Sequence, residues 1–148
     1  MSAKFEMLKK KYKLPSYEEL DREFDLGKLD DDISLRWLRK RVFEFLDMQV
    51  ALVEEVLHPD SRMSSLYECM VLGDEKKAQL FSLYKKLMKL LRHAQLASLE
   101  SDEKEAKFLL DALKEWPPIR KAMVAIVAEL MESWQKEQPE QEDVRYLG

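Results

Sequence analysis

The sequence contains few of the residues on which β-rich folds and cysteine chemistry depend. Among 148 residues there are only three Gly, five Pro and one Cys, and neither Asn nor Thr occurs. Sandwiches and barrels need many Gly- and Pro-containing turns, so an all-β fold is not expected. The single Cys69 cannot form an internal disulfide, so nothing in the chain requires an oxidising compartment.

Long apolar runs are also missing. Residues 1–14 carry scattered charges and lack the apolar core of a secretory signal. The longest uncharged run in the last third covers residues 122–128, whereas a bilayer span needs about 20 apolar residues. We therefore expect a cytoplasmic protein without a membrane span.

What the sequence does contain is helical periodicity. Hydrophobic residues make up 46% of the chain, which is ample for a core. Ser16 and Glu19 form a capping-box pattern, and Pro117 with Pro118 is expected to break the chain between two late helices. Helix start and stop residues, together with the apolar spacing, predict six helical segments, at residues 16–24, 33–57, 62–72, 74–99, 102–116 and 118–136.

The apolar residues of these segments predict how the helices pack. Segments 33–57 and 74–99 each have one wide apolar side, and residues 122–128 are apolar nearly all round, which predicts a central helix. We expect an all-α fold, an up-down antiparallel bundle of four to six helices. Its organisation is an N-terminal arm with a short helix (1–30), a bundle domain (31–137) and a disordered acidic tail (138–148).

No residue pattern predicts catalysis. Glu55-x-x-His58 has the spacing of a di-iron ligand pair, but His93 has Leu90 three positions earlier, so the second pair is missing. His58 is better interpreted as a helix C-terminal residue that interacts with the dipole. The three glycines are too far apart for a phosphate loop. We expect no enzyme activity, no metal and no cofactor; a carboxylate-rich metal enzyme around Glu55 and His58 is the least favoured hypothesis.

Charge is segregated along the chain. No acidic residue lies between Lys76 and His93, and segment 74–99 therefore has a one-signed polar side, formed by Lys85, Lys86, Lys89 and Arg92. Two further basic clusters are Arg36, Arg39, Lys40 and Arg41, and Lys9, Lys10, Lys11 and Lys13. A basic face suits phosphate, an acidic protein surface or an anionic membrane. Alternatively, it pairs with the chain's own acidic segments or is merely solvated.

Trp37 lies near Arg41 on the charged side of its predicted helix, opposite the apolar side. Either the N-terminal arm covers it, or it contacts a partner or a second copy of the chain. Taken together, these features predict a non-catalytic helical protein–protein interaction or assembly module, whose partner is another protein or a second copy in a dimer. The alternative is a nucleic-acid-associated accessory protein that uses the basic helix face, although a pI near 5.4 counts against it.

Overall fold

The computed structural model describes residues 2–135, and every regular element in that part of the chain is an α-helix. The helices are α1 (Ala3–Tyr12), α2 (Tyr17–Phe24), α3 (Leu35–Leu57), α4 (Met63–Val71), α5 (Asp74–Glu100) and α6 (Asp102–Ser133). This confirms the predicted all-α bundle. The predicted tail, residues 138–148, lies outside the described residues.

The three long helices form the body of the bundle. α3 and α6 run in the same direction, since Arg39 contacts Glu105 and Phe45 contacts Trp116 further along both helices. α5 runs the opposite way between the same partners: its start is next to the end of α6, where Lys76 meets Glu129. Successive long helices are therefore antiparallel, as short connections dictate.

The core follows the apolar spacing of the sequence. On α3 the fully buried side chains recur at intervals of three and four residues, and α5 shows the same spacing. The largest of these on the long helices are Leu38, Leu46, Leu80, Leu87, Leu90 and Phe108. Each contributes about 1.5–3 kcal/mol through its removal from water. Apolar burial therefore holds the three helices together.

The N-terminal segment contains two helices where the sequence predicted one. Ser2 caps α1 by accepting a hydrogen bond from the Phe5 amide, and Lys13 ends the helix in the left-handed conformation (φ 56°). Phe5 is fully buried and meets the Tyr17 ring edge to face, with centroids 5.6 Å apart. Residues 3–24 thus pack onto the bundle. Phe5 is the single buried aromatic residue of α1, and the surrounding lysines leave this segment without an apolar period from which a helix can be predicted.

The predicted break at Pro117 and Pro118 is wrong, because α6 continues through both prolines. Each proline lacks an amide hydrogen and disfavours a helix interior by about 3 kcal/mol relative to Ala. Trp116 and Ile119, which flank the pair, are both buried. Burying these two large apolar side chains contributes about 3–6 kcal/mol, which is of the same order as the roughly 6 kcal/mol that the two prolines cost together, so packing overrides the local signal.

The prediction that residues 122–128 form the centre of the bundle is also wrong. Met123 and Ile126 are buried, but Val124 is 63% exposed and Val127 is 41% exposed. A bundle of three long helices has no enclosed central position, so a helix that is apolar on two sides buries one and leaves the other in solvent. The second side of α6 is the most unusual feature of the surface.

Candidate functional site

A row of exposed apolar side chains lines one side of α6 and the adjoining part of α3. We call it the α3–α6 face, and it consists of the exposed side chains Met48, Leu52, Val124, Val127, Met131 and Trp134. On α6 these residues are spaced by three or four positions, so they follow one another along one side of the helix. Ala128, also exposed, lies among them. None of these residues is charged.

A groove of about 300 Å³ crosses the C-terminal half of this face. Its apolar lining includes Leu52, Val127, Met131 and Trp134, and Glu55 and Glu68 stand at its edges. Trp134 donates a hydrogen bond from Nε1 to Glu68 (3.0 Å), and its ring packs against Tyr67 with centroids 4.4 Å apart. These two contacts hold the half-exposed indole in place as one wall.

Charges are separated at the two ends of the face. Arg120 and Lys121 precede Val124, whereas the only charged residues of α6 after Val124 are Glu129 and Glu132. Arg120 forms an ion pair with Glu23 (3.3 Å), and Glu129 forms one with Lys76 (3.8 Å). Within residues 2–135, Lys121 and Glu132 form no ion pair. The face is therefore basic at one end and acidic at the other.

The predicted basic face lies on α5, as expected from the sequence. Its four residues are all exposed, and none of them forms an ion pair with another described residue: Lys85, Lys86, Lys89 and Arg92. Lys85 Nζ lies 5.4 Å from the centroid of the exposed Phe81 ring, and Arg92 donates a hydrogen bond to Gln95 (2.7 Å). That this face binds a partner remains a prediction.

The second basic cluster is not a continuous surface. Arg39 is buried, and its Nε lies 3.1 Å from Glu105 Oε2. Arg41 donates a hydrogen bond to the carbonyl oxygen of Leu26 (2.9 Å) and therefore fastens the loop that precedes α3. The apolar pattern of α3 alone does not show which other segments pack over these arginines.

Trp37 was predicted to lie on the charged side of α3, where either the N-terminal arm covers it or a partner contacts it. Its side chain is half-buried and packs against the hydrophobic core, as do Leu8 and Tyr12 of α1. The Arg41 guanidinium lies 5.8 Å from the centroid of its indole ring. The N-terminal helices add apolar residues to this core, which the spacing of α3 alone does not show. A binding role for Trp37 or Arg41 stays a prediction.

A larger groove of about 730 Å³ separates the end of α3 from the start of α5. Tyr84 donates a hydrogen bond across it to Glu54 (2.6 Å), and this bond is the main reason that the pKa of Tyr84 is raised. His58 lines the groove, but Glu55 pairs with Arg62 instead (2.9 Å). Within residues 2–135, no three His, Cys, Asp or Glu side chains are grouped to hold a metal ion.

Sequence reasoning missed the α3–α6 face. The available signal was the uncharged run 122–128, which was read as evidence of an interior helix. Comparisons with known proteins add no assignment: no family model matches the chain, and no curated protein or solved structure is significantly similar to it. In the described part of the chain, no helix combines the length and the apolarity that crossing a membrane requires.

Proposed function

We propose that the chain is a non-catalytic helical interaction module of the cytoplasm and that its contact surface is the α3–α6 face. The observation that carries this proposal is the exposure of Val124, Val127 and Met131 in a single row on a helix whose opposite side is core. Contiguous apolar surface on a folded protein is typical of contact sites. The adjoining groove offers a partner side chain a recess of fixed shape.

The face has the composition of an interface centre. Aromatic residues and Met are enriched at such centres, and charged residues are depleted there. Glu68 and Tyr67 already immobilise the Trp134 side chain, so binding would cost little further side-chain entropy at this position. Residues of this kind usually supply most of the affinity of an interface.

Site-specific photocross-linking in cells that naturally produce the protein tests the proposal. A photoreactive phenylalanine at position 127 should give a cross-linked product of discrete mass, whereas the same group at position 99, where Leu99 is 82% exposed on α5, should give none. Met131→Glu should abolish the product without loss of helical circular dichroism, because Met131 is 58% exposed. Equal products from both positions, or none from position 127, would contradict the proposal.

The second candidate is a nucleic-acid accessory function of the basic face on α5. It is supported by four exposed cations without ion pairs among the described residues, next to an exposed Phe81 ring on which a base can stack. Four phosphate contacts to a single strand predict a salt slope of about −2.8, which is a roughly 50-fold loss of affinity between 50 and 200 mM salt.

This candidate is tested with a single-stranded RNA oligonucleotide. Replacing Lys85 and Lys89 together by Glu should weaken binding and flatten the salt dependence. The matched control exchanges Lys107 and Lys114, two exposed lysines of α6, and should leave binding close to wild type. If the wild-type protein does not bind at 50 mM salt, the candidate is wrong.

A further inference from the structure

We infer that the occupant of the α3–α6 face is a second copy of this chain, docked with its α6 antiparallel to the first. The inference rests on the proposed function and adds the identity of the partner. The two-fold axis of the resulting dimer crosses α6 at the level of Ile126. An axis there makes the surface complementary to itself, as the interface of a symmetric dimer must be.

Charge complementarity selects the antiparallel orientation. Rotation about the axis brings Lys121 of one copy next to Glu132 of the other. A parallel arrangement would instead place each basic end on a basic end, and like charges at an interface disfavour that partner. Within residues 2–135 Lys121 and Glu132 form no ion pair, and the ion pair of Glu129 with Lys76 is about half exposed, so these groups remain available for contacts between the copies.

The spacing along α6 fits a two-helix seam. Lys121, Val124, Ala128 and Met131 follow one another at intervals of three, four and three residues, which is the repeat of paired helices. In the antiparallel register, Val124 faces Ala128 of the other copy. The small Ala128 side chain makes room for Val124, so two helices at about 8 Å are accommodated.

The size of the face sets the expected strength of the dimer. α6 from residue 117 to residue 135 spans about 27 Å at 1.5 Å per residue. With the adjoining exposed side chains of α3, the covered strip amounts to on the order of 500 Å² per copy, or roughly 1,000 Å² in total, which is the lower limit for specific interfaces. We therefore expect a reversible dimer with a Kd in the micromolar range and not a permanent one.

Sedimentation equilibrium of the full chain, from low micromolar to several hundred micromolar protein, tests the dimer. The wild-type protein should follow a monomer–dimer equilibrium. Val124→Glu should remain monomeric throughout, because it places a carboxylate at the centre of the seam. Leu99→Glu, an equally apolar-to-acidic change at an exposed position on α5, should dimerise like the wild type. A wild-type chain that stays monomeric at the highest concentration would overturn the inference.

Charge reversal tests the orientation. Lys121→Glu and Glu132→Lys should each weaken dimerisation at least several-fold, since each places like charges against each other. The double variant should dimerise more tightly than either single variant, because it restores opposite charges between positions 121 and 132. If the double variant is weaker than both single variants, the antiparallel arrangement is wrong.

Disulfide trapping tests the register in a Cys69→Ser background. Oxidising a mixture of the Val124→Cys and Ala128→Cys proteins should give a mixed disulfide-linked dimer faster than either protein alone gives its own. Faster coupling of each variant with itself would indicate parallel helices and overturn the inference. If the chain is monomeric while position 127 cross-links to a different protein, the inference that the partner is a second copy is wrong, whereas the proposed function stands. If position 127 cross-links to nothing, both are wrong.

Discussion

Replacing Glu105 by Leu should lower the free energy of unfolding by about 3–5 kcal/mol, because it leaves the Arg39 guanidinium buried without an opposite charge. Both side chains of this pair are about nine-tenths buried, and they meet at 3.1 Å between α3 and α6. For a chain of this length, the loss corresponds to a decrease of roughly 10–15 °C in the thermal midpoint.

The opposite single change should cost less. Glu105 lies in the first turn of α6, where the unpaired amides and the helix dipole stabilise a carboxylate even without Arg39. Arg39→Met should therefore destabilise the fold by about 1 kcal/mol less than Glu105→Leu. The double variant Arg39→Met with Glu105→Leu should return to within about 1 kcal/mol of the wild type, since two apolar side chains of similar volume need no charge partner.

Urea unfolding at low micromolar protein, followed by helical circular dichroism, measures these differences. The control is Arg62→Met, which removes two ion pairs that are about half exposed and should change the urea midpoint little. If Glu105→Leu costs no more than the control, or if the double variant is as unstable as the single ones, the Arg39–Glu105 pair does not have the structural role assigned to it.

Three further predictions concern single positions. Lys13→Gly should raise the free energy of unfolding by about 0.5–1 kcal/mol, because φ is 56° there and Gly adopts this conformation without strain; an unchanged urea midpoint would contradict the strain. Pro118→Ala should stabilise the chain by about 1–2 kcal/mol, since it restores an amide hydrogen inside α6 at an exposed position; a lower thermal midpoint would show that the proline shapes the helix. Glu54→Gln should shift the pKa of Tyr84 back towards 10.0, as followed by phenolate absorbance. In the wild type, the stability that Tyr84 contributes is complete below pH 10 and is lost as pH rises through its raised pKa, and this dependence should become smaller in the variant, which lacks the carboxylate charge.

The long helices were predictable because their buried residues recur with a strong period. Segment 33–57 corresponds to α3 within two residues, and segment 74–99 corresponds to α5 within one. In both helices the apolar side is wide and the polar side carries charges, so the signal is large compared with local propensity. The order of antiparallel neighbours followed from short connections.

What the sequence did not predict depends on neighbours distant in the chain. The helicity of residues 117–118 is decided by burial of Trp116 and Ile119, and the fate of Arg39 is decided by a carboxylate 66 residues later. The exposure of Val124 likewise depends on whether another element packs against that side of α6. An apolar side on one helix has the same pattern whether its neighbour belongs to the same chain or to another molecule, so periodicity identified the apolar residues of α6 but not which of them are exposed.

The accessibility of methyl groups on the α3–α6 face tests the central claim most directly. In a methyl-labelled sample with a soluble paramagnetic agent, NMR relaxation reports which methyl groups meet solvent. As protein concentration rises through the micromolar range, the methyl groups of Val124, Val127 and Met131 should become protected, whereas those of Leu96 and Leu99 on α5 should not. Equal accessibility of all five residues at every concentration would contradict the account.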